Sequence, residues 1–522
     1  MKKLYDYQKK AVKSTTTSDK GIVCMPTGVG KTFCQASMIA NDIKKNSGFR
    51  IYILNAPRIM LSYQLLKEVY SWILECGITA RYSFVHSGTK ADETELEKVR
   101  TEINEKNDFD IPYSDIGATI SVDGIIRKIR IAKEQNLPLI FFSTYNSAEK
   151  IEIARRLEKE EKIAMVLNDE AHYLVQERFY DILNTIKTDR CYFFTATMIH
   201  TPSDEGRGMN NVESYGEVLY EMLPIQAIKI GKMVRPRLHF VTTENIYNSE
   251  DYDLNLSKII ADTFEQHEKV LKKTEQTPKL LISTRGIQDI RDFIGVDEFH
   301  YSNSFTRLRN NGVNIYIVAS SENIGCRINE ETDLSRQVFL KRLKEDGEDK
   351  TKKLLVLHYD ILAEGIDISG FTGIMPLRVL SKSKFLQTYG RSARPDQNDR
   401  KAIDEIIKAK GYMSNDDWSK MHKPYSYIIV SNILHASIDD KEYIVQLIKE
   451  LRNYNFEPYE DIITSQITKG EIEIDEPDGD NEPDIHNKKI KVLIEGLHYR
   501  LEAERLAKLS DVDLANEILK ET

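Results

Sequence analysis

Three groups of residues in this sequence have types and spacing suited to chemistry on phosphate. The first is Cys24-Met25-Pro26-Thr27-Gly28-Val29-Gly30-Lys31-Thr32, set between an apolar run, Gly21-Ile22-Val23, and a helix-like segment from Phe33 to Ile43. Gly28 and Gly30 let a backbone turn its N–H groups inward without Cβ clashes, and the positive end of the following helix adds to the field on an anion. In such a loop Thr27 to Thr32 cradle a triphosphate, with Lys31 between the β- and γ-phosphates and the Thr32 hydroxyl offered to Mg2+. The pattern G-x-x-x-x-G-K-[ST] has a glycine where this chain has Met25, so the strict match fails at one position. The second group is Asp169-Glu170, delivered by the apolar run Lys162 to Leu167. Ligands bind at the C-terminal edge of parallel strands, and two adjacent carboxylates there have separable tasks. Asp169 holds Mg2+ and Glu170 orients and deprotonates a water. The third group is Arg391 and Arg394, three residues apart in Gln387-Thr388-Tyr389-Gly390-Arg391-Ser392-Ala393-Arg394. On a helix they share a face and can reach one anion.

An alternation of apolar strands and helix-like stretches must hold these groups. A chain of 522 residues is a prior for about three domains. With 41% hydrophobic and 30% charged residues it reads as globular, and no apolar run approaches a membrane span. The N-terminus, Met1-Lys2-Lys3-Leu4-Tyr5, has no apolar core like that of a secretory signal. The cysteines Cys24, Cys34, Cys76, Cys191 and Cys326 lie far apart, which suggests neither a zinc site nor a disulfide framework. A reducing, cytoplasmic location is expected. The net charge of −9 is local in origin: Glu471 to Asp484 holds eight acids and no base, and removing them leaves −1. Any polyanion contact must therefore come from a local basic face and backbone amides.

Further along the chain, Arg50 to Asn55 reads as a strand that runs into Pro57-Arg58 and Ser62. Leu137 to Phe142 is a strand ending in Ser143-Thr144-Tyr145, where the two hydroxyls suit either a helix cap or a phosphate contact. Between Ser83 and Asp123 the pattern weakens into a charged excursion. A second α/β series starts after Met233-Val234-Arg235-Pro236-Arg237. Asp396 with Asp399-Arg400-Lys401 superficially resembles a nuclease site, but its halves are too close for carboxylates on separate strands, and we read it as chance. Glu471 to Pro483 reads as an acidic linker. From Lys488 to Leu519 apolar residues recur at helical spacing, which predicts helices that pack on the body or on a protein partner.

Met-Pro-Thr-Gly-x-Gly-Lys-Thr, Asp169-Glu170-Ala171-His172 and Q-x-x-G-R-x-x-R at Gln387 to Arg394, in this order, resemble motifs I, II and VI of superfamily 2 helicases with a DEAH box. The resemblance covers roughly residues 4 to 435 and is closer to type III restriction-subunit and phage branch-migration helicases than to large RNA-processing DEAH proteins. It implies an α/β fold of two tandem RecA-like P-loop domains, about 1–233 and 234–456, with 457–522 as acidic linker and small helical C-terminal extension. It also implies ATP and Mg2+ in an inter-domain cleft. By the resemblance, Gln8 reads the adenine edge, although Tyr5 stands where the family often has arginine, and a surface glutamine at a helix start is the plain alternative. Arg58 and Ser62 take the place of motif Ia, Ser143 and Thr144 of motif Ib, and Ser283 and Arg285 of motif IV, all against a nucleic-acid backbone. His172, Thr195 and Thr197 would couple the nucleotide to that polymer. Gly365 and Asp367 match motif V beside the nucleotide. Gln387, Arg391 and Arg394 would join Lys31, Asp169 and Glu170 in catalysis, the arginines neutralising charge at the γ-phosphate. The activity implied is an ATP-dependent DNA helicase or translocase on duplex, branched or single-stranded DNA. An RNA helicase with the same engine and a non-hydrolysing nucleic-acid clamp are the alternatives. No membrane partner is expected.

Overall fold

The computed structural model describes residues 3–86, 116–119, 121–160, 162–202, 206–243, 252–272, 274–297, 300–319, 324–359, 370–378, 380, 382–431, 462–467 and 472–475. These group into two compact units, one within 1–223 together with 382–387, the other within 224–381 together with 388–522. Most of the charged excursion, the motif V residues Gly365 and Asp367, and the tail from 476 onward lie outside the described residues.

The first unit is built on an eight-stranded sheet of order β4-β3-β5-β2-β6-β7-β1-β8. Its strands are β1 (Lys20–Cys24), β2 (Ile51–Ala56), β3 (Arg81–Val85), β4 (Ile116–Thr119), β5 (Leu139–Thr144), β6 (Met165–Asn168), β7 (Cys191–Thr195) and β8 (Glu217–Glu221). Every pairing is parallel. Strands β2, β5, β6 and β7 are buried throughout, as expected where helices cover both faces. Among those helices are α1 (Asp6–Ser14), α2 (Lys31–Lys45) and α3 (Ile59–Glu75). Parallel strands of this kind place their C-terminal ends, and the loops that follow them, along one edge.

The second unit repeats the scheme with nine strands, β14 (Cys326–Ile328) beside β13 (Val313–Val318) and then β15-β10-β16-β17-β9-β18-β19. Its middle is β15 (Lys353–His358), β10 (Lys279–Ser283), β16 (Gly373–Pro376), β17 (Tyr425–Ser431) and β9 (Arg235–Thr243), all parallel. Both units are RecA-like α/β layers. Beyond β9, Ile462–Ile467 and Ile472–Asp475 form β18 and β19, which extend this sheet from within the stretch expected to be linker. The signal is in the sequence: isoleucine alternates with acid through Ile472-Glu473-Ile474-Asp475, a period of two that acidity alone conceals.

The second core also encloses two histidines, His239 on β9 and His267 on the helix Tyr252–Lys272, both 0% exposed. His267 Nε2 lies 2.8 Å from Thr372 Oγ1. Burial pushes His239 down to about 3 and His267 well below the usual imidazole range. An unfolded chain binds protons at these histidines once the pH drops below about 6.5, whereas the native core does not. Stability is therefore complete above that pH and falls below it, by roughly 2 kcal/mol per histidine at pH 5. Thermal unfolding followed from pH 7 to pH 5 should show this slope, and His239→Phe should remove about one proton of it. An unchanged slope in that variant would contradict the assignment.

Candidate functional site

The phosphate-loop residues sit at the C-terminal end of β1, between β7 and β8. The Met25 amide donates to the Thr195 carbonyl at 2.8 Å and the Met222 amide to the Cys24 carbonyl at 2.9 Å, so neighbouring strands fix both sides of the loop's start. Gly28 and Gly30 have φ of 86° and 85°, left-handed backbone that side chains with a Cβ resist. At Gly30 an added Cβ would also come within 2.5 Å of Gln8 Nε2. Lys31 opens α2, is 8% exposed, and donates from Nζ to the Met25 carbonyl at 3.3 Å, closing the loop on itself. Thr32 follows it, half-buried.

Gln8 is buried and its amide faces this loop. Nε2 donates to the carbonyls of Val29 at 3.0 Å and Gly30 at 3.4 Å, while Oε1 accepts from the Tyr5 amide at 2.9 Å. The Tyr7 hydroxyl donates to the same Val29 carbonyl at 2.9 Å. Here α1 braces the loop, a role that the position of Gln8 in sequence did not reveal.

The acidic pair leaves β6. The Asp169 amide donates to the Asn55 carbonyl at 2.8 Å, and its carboxylate accepts from Gln35 Nε2 at 3.0 Å. Burial first, and then the neighbouring Glu170 carboxylate, pushes the Asp169 carboxyl up, while Lys31 opposes this. Glu170 has left-handed backbone, φ 49° and ψ 48°, uncommon for a residue with a side chain. The turn is held from outside: the buried Tyr145 hydroxyl donates to the Asp169 carbonyl at 2.5 Å. His172 is buried and held neutral, its pKa lowered chiefly by desolvation. Its Nδ1 lies 3.2 Å from Thr195 Oγ1 and 3.5 Å from Glu170 Oε2. The Thr195 hydroxyl donates to the Thr197 carbonyl at 2.7 Å. Gln387, which groups with the first unit, has Nε2 3.0 Å from His172 Nε2.

Gln35, Tyr145, Asn55 and Asn168 escaped the sequence reading. Asn55 Nδ2 donates to Asn168 Oδ1 at 3.0 Å, tying β2 to β6 just before the acids. Gln35 carried a usable signal, because it lies one helical turn beyond Lys31 and on the same side of α2. The other three carried none, since their partners come from other strands.

The residues fit a magnesium-bound triphosphate. Thr27 Oγ1, Gln35 Oε1, Glu170 Oε2 and Thr197 Oγ1 are buried with no hydrogen-bond partner, and orphaned polar atoms of this kind call for a ligand or ordered water. Among the described residues, no cluster of three or more histidine, cysteine or carboxylate side chains offers a separate metal site.

The expected polymer contacts are less exposed than their residue types suggest. Arg58 is on the surface just before α3. Ser62, Ser143 and Thr144 are buried, with hydroxyls bonded to the Ser143 carbonyl at 3.3 Å, the Thr144 carbonyl at 2.9 Å and Ser147 Oγ at 3.1 Å. In the second unit, Ser283 Oγ is 3.0 Å from His358 Nε2, and the Arg285 guanidinium holds Asp289 at 2.6 Å. Arg391 lies 7% exposed in the last turn of the helix Lys382–Ser392, and Arg394 follows its end.

Residues 1–200 match the family model described as "Type III restriction enzyme, res subunit". No curated protein matches the chain. Among solved structures it is similar to the ATP-dependent Type ISP restriction-modification enzyme LlaBIII bound to DNA, with 18% identity and a TM-score of 0.62 over 95% of this chain and 33% of that one. A nuclease-deletion mutant of the Type ISP enzyme LlaGI, in complex with a DNA substrate mimic, matches at 19% identity and a TM-score of 0.53 over 86% of this chain and 29% of that one. The chain thus spans about a third of the length of these two structures. The first 200 residues are similar to the type III restriction subunits, and the fold is that of the two matched structures.

Tyr145→Phe removes one hydroxyl and leaves the ring against Phe179, 5.5 Å away. Losing a buried hydrogen bond that holds the acidic turn should lower the turnover of ATP by about tenfold, for a loss of about 1–2 kcal/mol. ATP binding, which rests on the loop, should stay within twofold, and a wild-type turnover number would show that the hydroxyl holds nothing of consequence.

Proposed function

We propose that this protein is an ATP-driven DNA translocase or helicase. The observation that carries the reading is the Asp169-Glu170 pair, the first buried and the second half-buried, in a left-handed turn at the strand edge that also carries the Lys31 loop. A carboxylate oxygen with no hydrogen-bond partner, set on a fixed backbone turn, is suited to orient a water and take its proton. Thr32 and Asp169 would hold Mg2+, which when bound neutralises charge on the transferring phosphoryl group. Lys31 and the amides of Thr27 to Thr32 bind the phosphates, and Arg391 and Arg394 supply positive charge as the transition state forms. Neutral His172, touching Thr195, passes the state of that site toward motif III. Arg58 and the backbone amides at the starts of helices would contact the polymer's phosphates, which requires no base readout. The two similar structures were solved with DNA or a DNA mimic, which favours DNA over RNA.

Steady-state ATPase assays with duplex DNA, single-stranded DNA or RNA, at low and moderate salt, test the reading. DNA should stimulate turnover, and Lys31→Ala should abolish it. Glu170→Gln should lose about 10²- to 10⁴-fold in turnover and still bind ATP. Stimulation by RNA alone would replace DNA with RNA as the track, while the absence of turnover under every condition would leave a clamp without an engine.

A further inference from the structure

Arg394 stands beyond the last hydrogen-bonded turn of the helix Lys382–Ser392, where a helix normally frays and its carbonyls turn to water. In this protein three consecutive carbonyls there are occupied. Lys423 Nζ accounts for two, donating to the carbonyls of Ser392 at 2.6 Å and Arg394 at 2.8 Å. The Val234 amide takes the one between them, on Ala393, at 2.6 Å. Side chains tie the same corner: Ser426 Oγ donates to Ser392 Oγ at 2.7 Å, and Tyr389 OH to the Val234 carbonyl at 2.8 Å. Lys423 is itself held, because the Asp399 carboxylate accepts from the amides of His422 at 2.8 Å and Lys423 at 2.9 Å.

A glycine, a water or a backbone amide ends most helices, and any of these avoids the cost of desolvating a charge. Lys423 is 2% exposed and Asp399 5%, so two charges have been taken out of water to fix a segment three residues long. That expense is explicable if the direction of the next side chain matters. We infer that Lys423, locked by Asp399, is a positioning residue for the second arginine of motif VI, setting the backbone from which Arg394 is presented. The inference rests on the catalytic reading of that arginine. It also gives Asp396 and Asp399, which looked like fragments of a nuclease site, a different use: Asp399 fixes the backbone of the clamp and Asp396 adds negative charge near its ammonium.

A merely structural lysine and a positioning one differ in how they combine with Arg394. The full chain carrying Lys423→Met should lose about 10- to 100-fold in kcat, the scale on which a 1 Å misplacement acts, with KM for ATP within twofold. In an Arg394→Ala background the same substitution should cost less than about threefold more, because the group it positions is already gone. An equal loss in both backgrounds, or no loss in kcat, overturns the inference while leaving the catalytic reading intact. Wild-type turnover in Arg394→Ala alone would remove the catalytic reading, and the inference with it. Should Lys423→Met fail to fold, Asp399→Asn, which keeps the ammonium and loosens its backbone, is subject to the same comparison.

Discussion

A carboxylate that must stay out of water and still be ready to act is the constraint on which the first unit depends. Asp169 is 8% exposed beside a second acid. Two like charges in a poorly hydrated place raise each other's free energy, so their geometry has to be imposed by neighbours. Each neighbour imposes one part of it. Asn55 holds the Asp169 amide, Gln35 the carboxylate, and Tyr145 the carbonyl, leaving Glu170 in its left-handed turn. On the facing loop Gln8 and Tyr7 hold Val29 from behind, which keeps the glycine turn in place before any phosphate arrives. Such preorganisation is what makes a dipole or carboxylate effective at the moment of reaction.

The second unit solves a different problem with a repeated device. Two of its lysines are buried against helix ends. Lys279 Nζ donates to the carbonyls of Asp346, Gly347 and Asp349 around the end of the helix Arg336–Glu348, and Lys423 does the same after Lys382–Ser392. The negative end of a helix favours a cation, which offsets part of the desolvation. Burial still pulls both ammoniums down, Lys279 to about 8 and Lys423 to about 7. What separates the two is the cargo of the helix. One ends in a surface turn, and the other carries Arg391 with Arg394 just beyond it.

Much of the candidate site's local geometry was legible in the sequence because it depends on residue type at short spacing. A left-handed loop needs Gly28 and Gly30, a phosphate needs Lys31 directly after them, and two acids must follow an apolar strand. Strands β2, β5, β6 and β7 were legible for a similar reason, since doubly covered parallel strands are unbroken apolar runs. What could not be read is direction and long-range partnership. Gln8 could face a base or the loop, and only the packing of α1 decides. The hydroxyls of Ser62, Ser143, Thr144 and Ser283 have the right type for phosphate but point inward. Lys423 meets Ser392 across 31 residues, and Ile462 pairs with Leu238 across most of the second unit. No local pattern encodes either.

Under the function proposed above, those inward hydroxyls would change how the first unit senses a polymer. Ser62 on α3 bonds the Ser143 carbonyl, Ser143 bonds the Thr144 carbonyl, and Thr144 is followed directly by Tyr145, whose hydroxyl holds Asp169. A phosphate contact made at Arg58 or at the amides of this corner therefore acts on a segment only a few bonds from the acidic turn. Buried hydrogen bonds in a close-packed interior transmit displacement because there is little free volume to absorb it. With exposed hydroxyls the same segment could bind a strand more tightly but would lose its rigid connection to Asp169. On the proposed reading, burial of Ser62, Ser143 and Thr144 would favour a motor whose hydrolysis responds to its track over one that merely grips it.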